Sequence, residues 1–410
     1  MNATAVTFLE ILKAALRGEP AAPAGEISPE EWQRLFRMAR IHQILPLFYE
    51  SVHALPSLPR ELLAPVKQQV RHQVIRQTMQ TQEFLELNRH LQQAGVRALV
   101  VKGIICRNLY PKPDHRPSGD EDLLIPEEQF ALCRGILTAQ GLSAGEHRQD
   151  AYEIPYRRDG SPLYIELHRQ LFPPESDAYG DLNRFFEGVF AQSITERIQD
   201  TPVDTLCPTD HLFYLICHAF KHFLHSGFGI RQVCDIILYA NRYGTQVDWL
   251  QILNHCKAIR AEKFAAALFQ IGRKHLTFDP VLAAYPAVWR EIPVDELPML
   301  EDLLGSGLYG DATLSRKHSS SITLDAVAAQ KQRKRSKNPV LLSAFPPAAK
   351  LEGRYPYLKK HPYLVPLAWG SRLWEYARET GHRRDSSAAE ALQIGNDRIE
   401  LMKLYGILEP

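Results

Sequence analysis

The stretch that decides the reading is VVKGIICRNLYPKPDHRPSGDEDLLI, residues 100–125. A short apolar run leads into Lys102-Gly103, which opens a brief helical pattern, IICRNLY. The segment PKPDHRP follows, and its prolines rule out regular structure there. Asp120 and Asp122 then stand just ahead of a second apolar run, DLLI, which reads as a strand. Side chains alternate between faces along a strand, so Asp120 and Asp122 share one face while Glu121 and Leu123 share the other. Two carboxylates converge, with Glu121 as a solvated neighbour.

Upstream, VRALVV (96–101) reads as a buried strand, preceded by a helix from about Gln80 to Gln93 that ends at Gly95. Downstream, Pro126-Glu127-Glu128 opens a helix that ends near Gly141, and RRDGSP at 157–162 reads as a hairpin turn joining EIPY to LYIELH. In LYIELH, Tyr164, Glu166 and His168 lie on one face and Leu163, Ile165 and Leu167 on the other. Burying the apolar face leaves Glu166 able to join the aspartates across adjacent strands.

The surrounding chain is mostly helical. SPEEW at 28–32 has a capping Ser28 with Pro29 in the first turn, and PTDHLFYLICHAFKHFLH from Pro208 begins a second helical region. The expected organisation is an N-terminal helical segment (1–95), an α+β core with a small mixed sheet flanked by helices (96–203), and a helical domain (204–290). A C-terminal extension rich in proline and aromatics follows (291–410), carrying KQRKRSK at 331–337, RYPYLKKHPYLVPLAW at 354–369 and a final helix around 388–404.

Composition narrows the class. With 45% hydrophobic and 23% charged residues in 410, the chain is neither disordered nor fibrous. A formal net charge of +1 gives no general pull toward nucleic acid or an anionic membrane, so the basic run at 331–337 is the one local nucleic-acid signal, with a solvated loop as its default reading. Six scattered cysteines without a C-x-x-C pair fit a reduced, cytoplasmic setting. VTFLEILKAAL is broken by Glu10 and Lys13 at helical spacing, as in an amphipathic helix and unlike a signal peptide. No apolar run approaches the roughly 18 residues of a membrane span.

Three gathered carboxylates repel one another, and a hard divalent cation held by oxygen ligands resolves this. Magnesium is the natural occupant, with manganese as an alternative. Two such ions, about 3.5–4 Å apart, hold a nucleotide's phosphates and neutralise the charge that builds on departing pyrophosphate. Gly103 would let the backbone approach a phosphate, the following helix would point free N–H groups there, and Lys102 would add positive charge.

The run KGIICRNLYPKPDHRPSGDEDLLI with the later IELHRQLF resembles the uncharacterised nucleotidyltransferase family of the DNA polymerase beta-like superfamily. The likeness extends to HAFKHFLHSGFGIRQVCDI and more loosely to RYPYLKKHPYL and IGNDRIELMKLYGIL. The resemblance places Gly103, Asp120, Asp122 and Glu166 at the superfamily's turn and acid positions, and implies an NTP substrate, ATP foremost, with an acceptor the sequence does not identify. Lys102-Gly103 replaces the wider superfamily's Gly-Ser, so a lysine ammonium stands in for a serine hydroxyl.

Other residues carry open alternatives. Arg116 could touch phosphate or form a salt bridge that orients the aspartates, and His168 is a partner of Glu166, a base or a structural histidine. His218 and His222, one helical turn apart, could bind zinc, line the cleft against triphosphate or acceptor, or pack. Arg231 and Asp235 read as a helical i to i+4 pair. Rival classes are a catalytically inactive nucleotide-binding or regulatory protein of the same fold, and an RNA-modifying enzyme.

Overall fold

The computed structural model describes residues 1–148, 151–174, 176, 178–225, 227–306, 314–331, 347–351, 355–371 and 388–409. Four helices come first: α1 (Ala3–Arg17), α2 (Pro29–Ile41), α3 (Leu45–Val52) and α4 (Arg60–Gln93). Ser28 caps α2 as its position suggests, its Oγ accepting the Glu31 N–H at 3.2 Å. Helix α4 is 34 residues long and starts at Arg60, far upstream of the expected Gln80. The apolar period is hidden there because several inward positions are polar. Gln77, Gln80, Thr81 and Asn88 are all buried, and they bond to the loops and strands beneath instead of filling an apolar stripe.

A mixed seven-stranded sheet follows, in the order β3-β4-β5-β2-β1-β7-β6. Its strands are β1 (Leu99–Val101), β2 (Glu121–Leu124), β3 (Ser143–Ala144), β4 (Glu153–Arg157), β5 (Tyr164–His168), β6 (Ile194–Ile198) and β7 (Thr201–Thr205). Helix α5 (Gly103–Arg107) leaves β1 directly, and α6 (Phe130–Ala139) crosses from β2 toward the β3–β4 edge. The RRDGSP turn does join antiparallel β4 and β5. Strand β5 returns parallel to β2 with Asp122 opposite Glu166, while β1 runs antiparallel to β2 with Val101 opposite Asp122. PKPDHRP is not wholly irregular, since Pro113–His115 form one 3-10 turn.

The short α7 (Val189–Gln192) precedes β6, and after β7 four longer helices follow: α8 (Pro208–Leu224), α9 (Ile230–Tyr243), α10 (Trp249–Ala258) and α11 (Glu262–His275). One apolar core joins these helices to the sheet and to the N-terminal helices, running from Phe8 to Leu408 among the described residues. Leu351, Leu358 and Ala368 form a small separate cluster with Tyr355 and Trp369, so the aromatic arm packs locally. The helix Ala388–Leu404 closes the described chain. Of the basic run at 331–337, residues 332–337 lie outside the described residues. No helix of the described residues is long and apolar enough to cross a membrane, and all six cysteines are free thiols.

Buried neutral histidines make the fold acid-sensitive. Burial pushes His42, packed beside Phe8, down to about 4. Its folded value lies below the unfolded one, so its stabilisation is complete above the unfolded pKa of about 6.5 and is lost as pH falls toward 4. His42→Leu is therefore expected to flatten the stability profile by about 2 kcal/mol between pH 7.5 and pH 5. Urea unfolding of both proteins at the two pH values measures this, and parallel profiles would refute it.

Candidate active site

The Lys-Gly turn sits where β1 ends, opposite Asp122. Lys102 takes a left-handed backbone (φ 58°), a conformation that costs free energy in a non-glycine residue and persists only where its surroundings enforce it. Its N–H donates to His211 Nε2 at 3.1 Å. Thr205 Oγ1 lies 3.1 Å from His211 Nδ1 and donates its own proton to Val100 O at 2.6 Å. A consistent assignment puts the ring proton on Nδ1 and leaves Nε2 as the acceptor for Lys102. Burial pushes His211 down to about 3, which keeps the ring neutral for this task.

Gly103 has a different neighbour from the one expected. A Cβ there would stand 2.1 Å from Glu121 Oε2, and its φ is +26°. Glu121 is fully buried, which corrects the expectation of a solvated neighbour. Its Oε2 accepts the Ile104 N–H at 2.8 Å, and its Oε1 lies 2.5 Å from Arg107 NH2 and 3.2 Å from Gln80 Nε2. One amide expected to face phosphate thus caps a protein carboxylate. Arg107 is itself buried and donates to Ser118 Oγ. The signal was present in the alternation that put Glu121 on the Leu123 face. That face is core, and a buried acid requires a cation.

On the other face the structure brings Asp122, Glu166 and His168 together, whereas Asp120, expected to join them, lies outside that cluster. Ligand atoms of Asp122, Glu166 and His168 all lie within 4.8 Å of one another. His168 Nε2 is 3.1 Å from Asp122 Oδ1 and 3.7 Å from Glu166 Oε2, with Glu153 Oε2 3.9 Å from Nδ1. Lys102 Nζ lies 2.9 Å from Asp122 Oδ2 and 3.8 Å from Asp120 Oδ2. Asp122 Oδ2 is buried and accepts no aligned hydrogen bond, so the Lys102 contact is ionic.

Electrostatics follow from this packing. Burial works against charge on Lys102, but Asp122 and Asp120 outweigh it and hold the ammonium well above its usual range. Burial likewise opposes charge on Asp122, yet Lys102 and His168 hold it well below the carboxylate range. His168 is pushed up to about 9, its burial outweighed by hydrogen bonds to Asp122 and Glu166. Burial raises Glu166 despite the His168 bond. Asp120, Asp122 and Glu166 against Lys102 and His168 leave one net negative charge, and Glu153 adds another at the rim.

Beside Asp120 opens a cavity of about 200 Å³. Lys102, Gly103, Arg116 and Ser118 line its core side, and His218, His222 and Arg231 its helical side. Arg116 makes a salt bridge, though not with the paired aspartates: its Nε and NH2 reach Asp235 Oδ1 and Oδ2 at 2.7 and 2.6 Å. This bond ties the loop before β2 to α9. The expected Arg231–Asp235 pair therefore gives way to Arg116–Asp235, and Arg231 NH1 donates instead to Gln43 Oε1 at 2.8 Å and to Pro117 O. His222 Nε2 lies 3.3 Å from His218 Nε2, which in turn lies 3.5 Å from Lys102 Nζ. Burial drives both histidines down, His222 to about 3. Neither belongs to a metal-competent cluster among the described residues.

A mixed sheet with opposed acids on its central strands, beside a Lys-Gly turn and a helical wall, defines an α+β protein of the nucleotidyltransferase type. Residues 28–276 match the family described as "Uncharacterised nucleotidyltransferase", and the chain belongs to that family. No curated protein matches it. Among solved structures, it overlaps an antigenic nucleotidyltransferase-like protein from Paracoccidioides brasiliensis at 12% identity, over 50% of this chain and 96% of that one, with a TM-score of 0.32.

Removing the buried acid strands a buried guanidinium, so Glu121→Ala is expected to destabilise by about 3–5 kcal/mol, and the Glu121→Ala/Arg107→Met double variant by clearly less. Chemical denaturation tests this, and equal losses would refute the pairing. Gly103→Ala is expected to lose about 2–4 kcal/mol through strain and the Glu121 clash, read in the same assay.

Proposed function

We propose that this protein transfers a nucleoside monophosphate from a nucleoside triphosphate to an acceptor, releasing pyrophosphate, with magnesium or manganese as cofactor. The observation that carries the reading is the in-register Asp122–Glu166 pair on parallel strands, with a lysine ammonium 2.9 Å from Asp122. The site fits a divalent cation: Asp122 and Glu166 offer carboxylate oxygens with Asp120 nearby, Asp122 Oδ2 lacks an aligned donor, and a positive charge, that of Lys102, already stands against it. Asp122 and Glu166 would hold the ion with Asp120 at its edge, while His168, protonated and bonded to Asp122 Oδ1, would orient that carboxylate and not ligate. When bound, the ion supplies charge neutralisation for the phosphates and the departing pyrophosphate.

The chain's own residues account for the rest. Lys102 lies between the acids and the cavity, so its ammonium can turn from Asp122 to a phosphate oxygen without leaving the site. His168 fixes the Asp122 carboxylate through Oδ1 and leaves Oδ2 facing Lys102. Glu166, partly open at the edge of the cluster, takes the proton from the acceptor group. A bond forms between the acceptor atom and the α-phosphorus as the bridge to the β-phosphate breaks, and pyrophosphate leaves with the electron pair. The neutral His218 and His222 and the Gly103 edge bound the space in which the phosphates would lie.

Incubation with each α-labelled triphosphate, magnesium or manganese, and cell extract is expected to give a labelled product. Asp120→Asn and Asp122→Asn should each lower the rate on the order of 10²–10³-fold. Undiminished transfer by Asp122→Asn would overturn the assignment, and nucleotide binding without transfer would identify a silent relative.

A further inference from the structure

Two guanidiniums face the cavity, Arg116 buried and Arg231 half-buried, and one carboxylate lies between them. Arg116 takes it with two bonds, and the Tyr110 hydroxyl donates a third to Asp235 Oδ1 at 2.7 Å. Arg231, one helical turn before Asp235 on α9, bonds only to neutral oxygens, those of Gln43 and Pro117. Burial and the neighbouring Arg116 both lower its proton affinity, and Asp235 offsets them only in part. Arg231 Nε is a buried donor without a hydrogen bond, as is Arg116 NH1. A half-buried cation with a buried, unbonded Nε and no matched anion is disfavoured, and a half-closed polar cavity supplies room for the missing charge.

We propose that Arg231 is the receptor for a phosphoryl group of a substrate bound in this cavity. Lys102 from the strand turn and Ser118 from the loop line the same space, so polar groups approach it from separate elements. Such an array suits a tetrahedral oxyanion with several terminal oxygens better than a planar one. Asp120 also lines the cavity, 3.8 Å from a Lys102 ammonium whose nearer partner is Asp122, but it makes no ion pair with Arg231 among the described residues. The choice of phosphate among oxyanions rests on the nucleotidyl-transfer reading, whereas the absence of an anion bonded to Arg231 stands without it. The phosphoryl group belongs either to the nucleotide's triphosphate or to a phosphorylated acceptor.

Calorimetry with inorganic tripolyphosphate, in the presence of a chelator, tests the receptor apart from turnover. The wild-type protein is expected to bind it and to melt at a higher temperature in its presence. R231Q should bind at least about tenfold more weakly and gain no such shift. R231K, which keeps the charge and loses the planar fork, guards against a folding defect and should fall between the two. Asp122→Asn should bind as well as or better than wild type, since it removes a negative charge beside Lys102.

A non-hydrolysable ATP analogue that competes with tripolyphosphate assigns the site to the nucleotide, and simultaneous binding assigns it to the acceptor; either result upholds the receptor. Equal tripolyphosphate affinity in R231Q and wild type, or no wild-type binding at millimolar concentration, overturns it. If label transfer fails while Arg231-dependent binding persists, the transferase reading falls and the anion site stands.

Discussion

The register of β2 against its two neighbours is the constraint on which the site depends. Parallel pairing with β5 sets Asp122 opposite Glu166, and antiparallel pairing with β1 sets Val101 opposite the same Asp122. The residue after Val101 is Lys102, so one carboxylate meets a partner acid from one side and a cation from the other. A slip of one residue would turn Asp122 to the core face and bring Glu121 to the cleft. The apolar anchors Leu123, Ile165 and Leu167, all fully buried, oppose such a slip.

Both faces of β2 carry charge, and the two are managed differently. On the core side, Glu121 is closed off by Arg107, Gln80 and the Ile104 amide, and that closure fixes the first turn of α5. On the cleft side, Asp122 is buried between Lys102 and His168, while Asp120 and Glu166 stay partly open. A closed ion pair holds shape; an incompletely neutralised cluster invites a cation. Gly103 lies between the two, and it must be glycine because the Glu121 carboxylate fills the place of a Cβ.

The helices after the sheet complete the cleft and hold its strained turn. His211 on α8 receives the Lys102 amide, and Asp235 on α9 receives Arg116 from the loop that delivers the aspartates. Gln43, just after α2, reaches Arg231 across the cavity mouth. Three separated parts of the chain thus converge on one space, in keeping with a family match that begins at the cap of α2 and ends just after α11.

The sequence by itself determined the acid pattern. Strand alternation placed Asp120 with Asp122 and Glu166 with His168, and the RRDGSP turn placed β4 beside β5, because these rules act over a few residues and need no distant partner. It also marked Lys102-Gly103 as the bend beside them. Only the tertiary structure decided the pairings. Arg116 went to Asp235 across 119 positions, and Lys102 N–H went to His211 across 109. Glu121 proved buried because the face it shares with Leu123 is covered by α4, whose inward glutamines conceal its period. Which charges meet depends on which elements pack together, and a one-dimensional pattern contains spacing along the chain but not distance across the core.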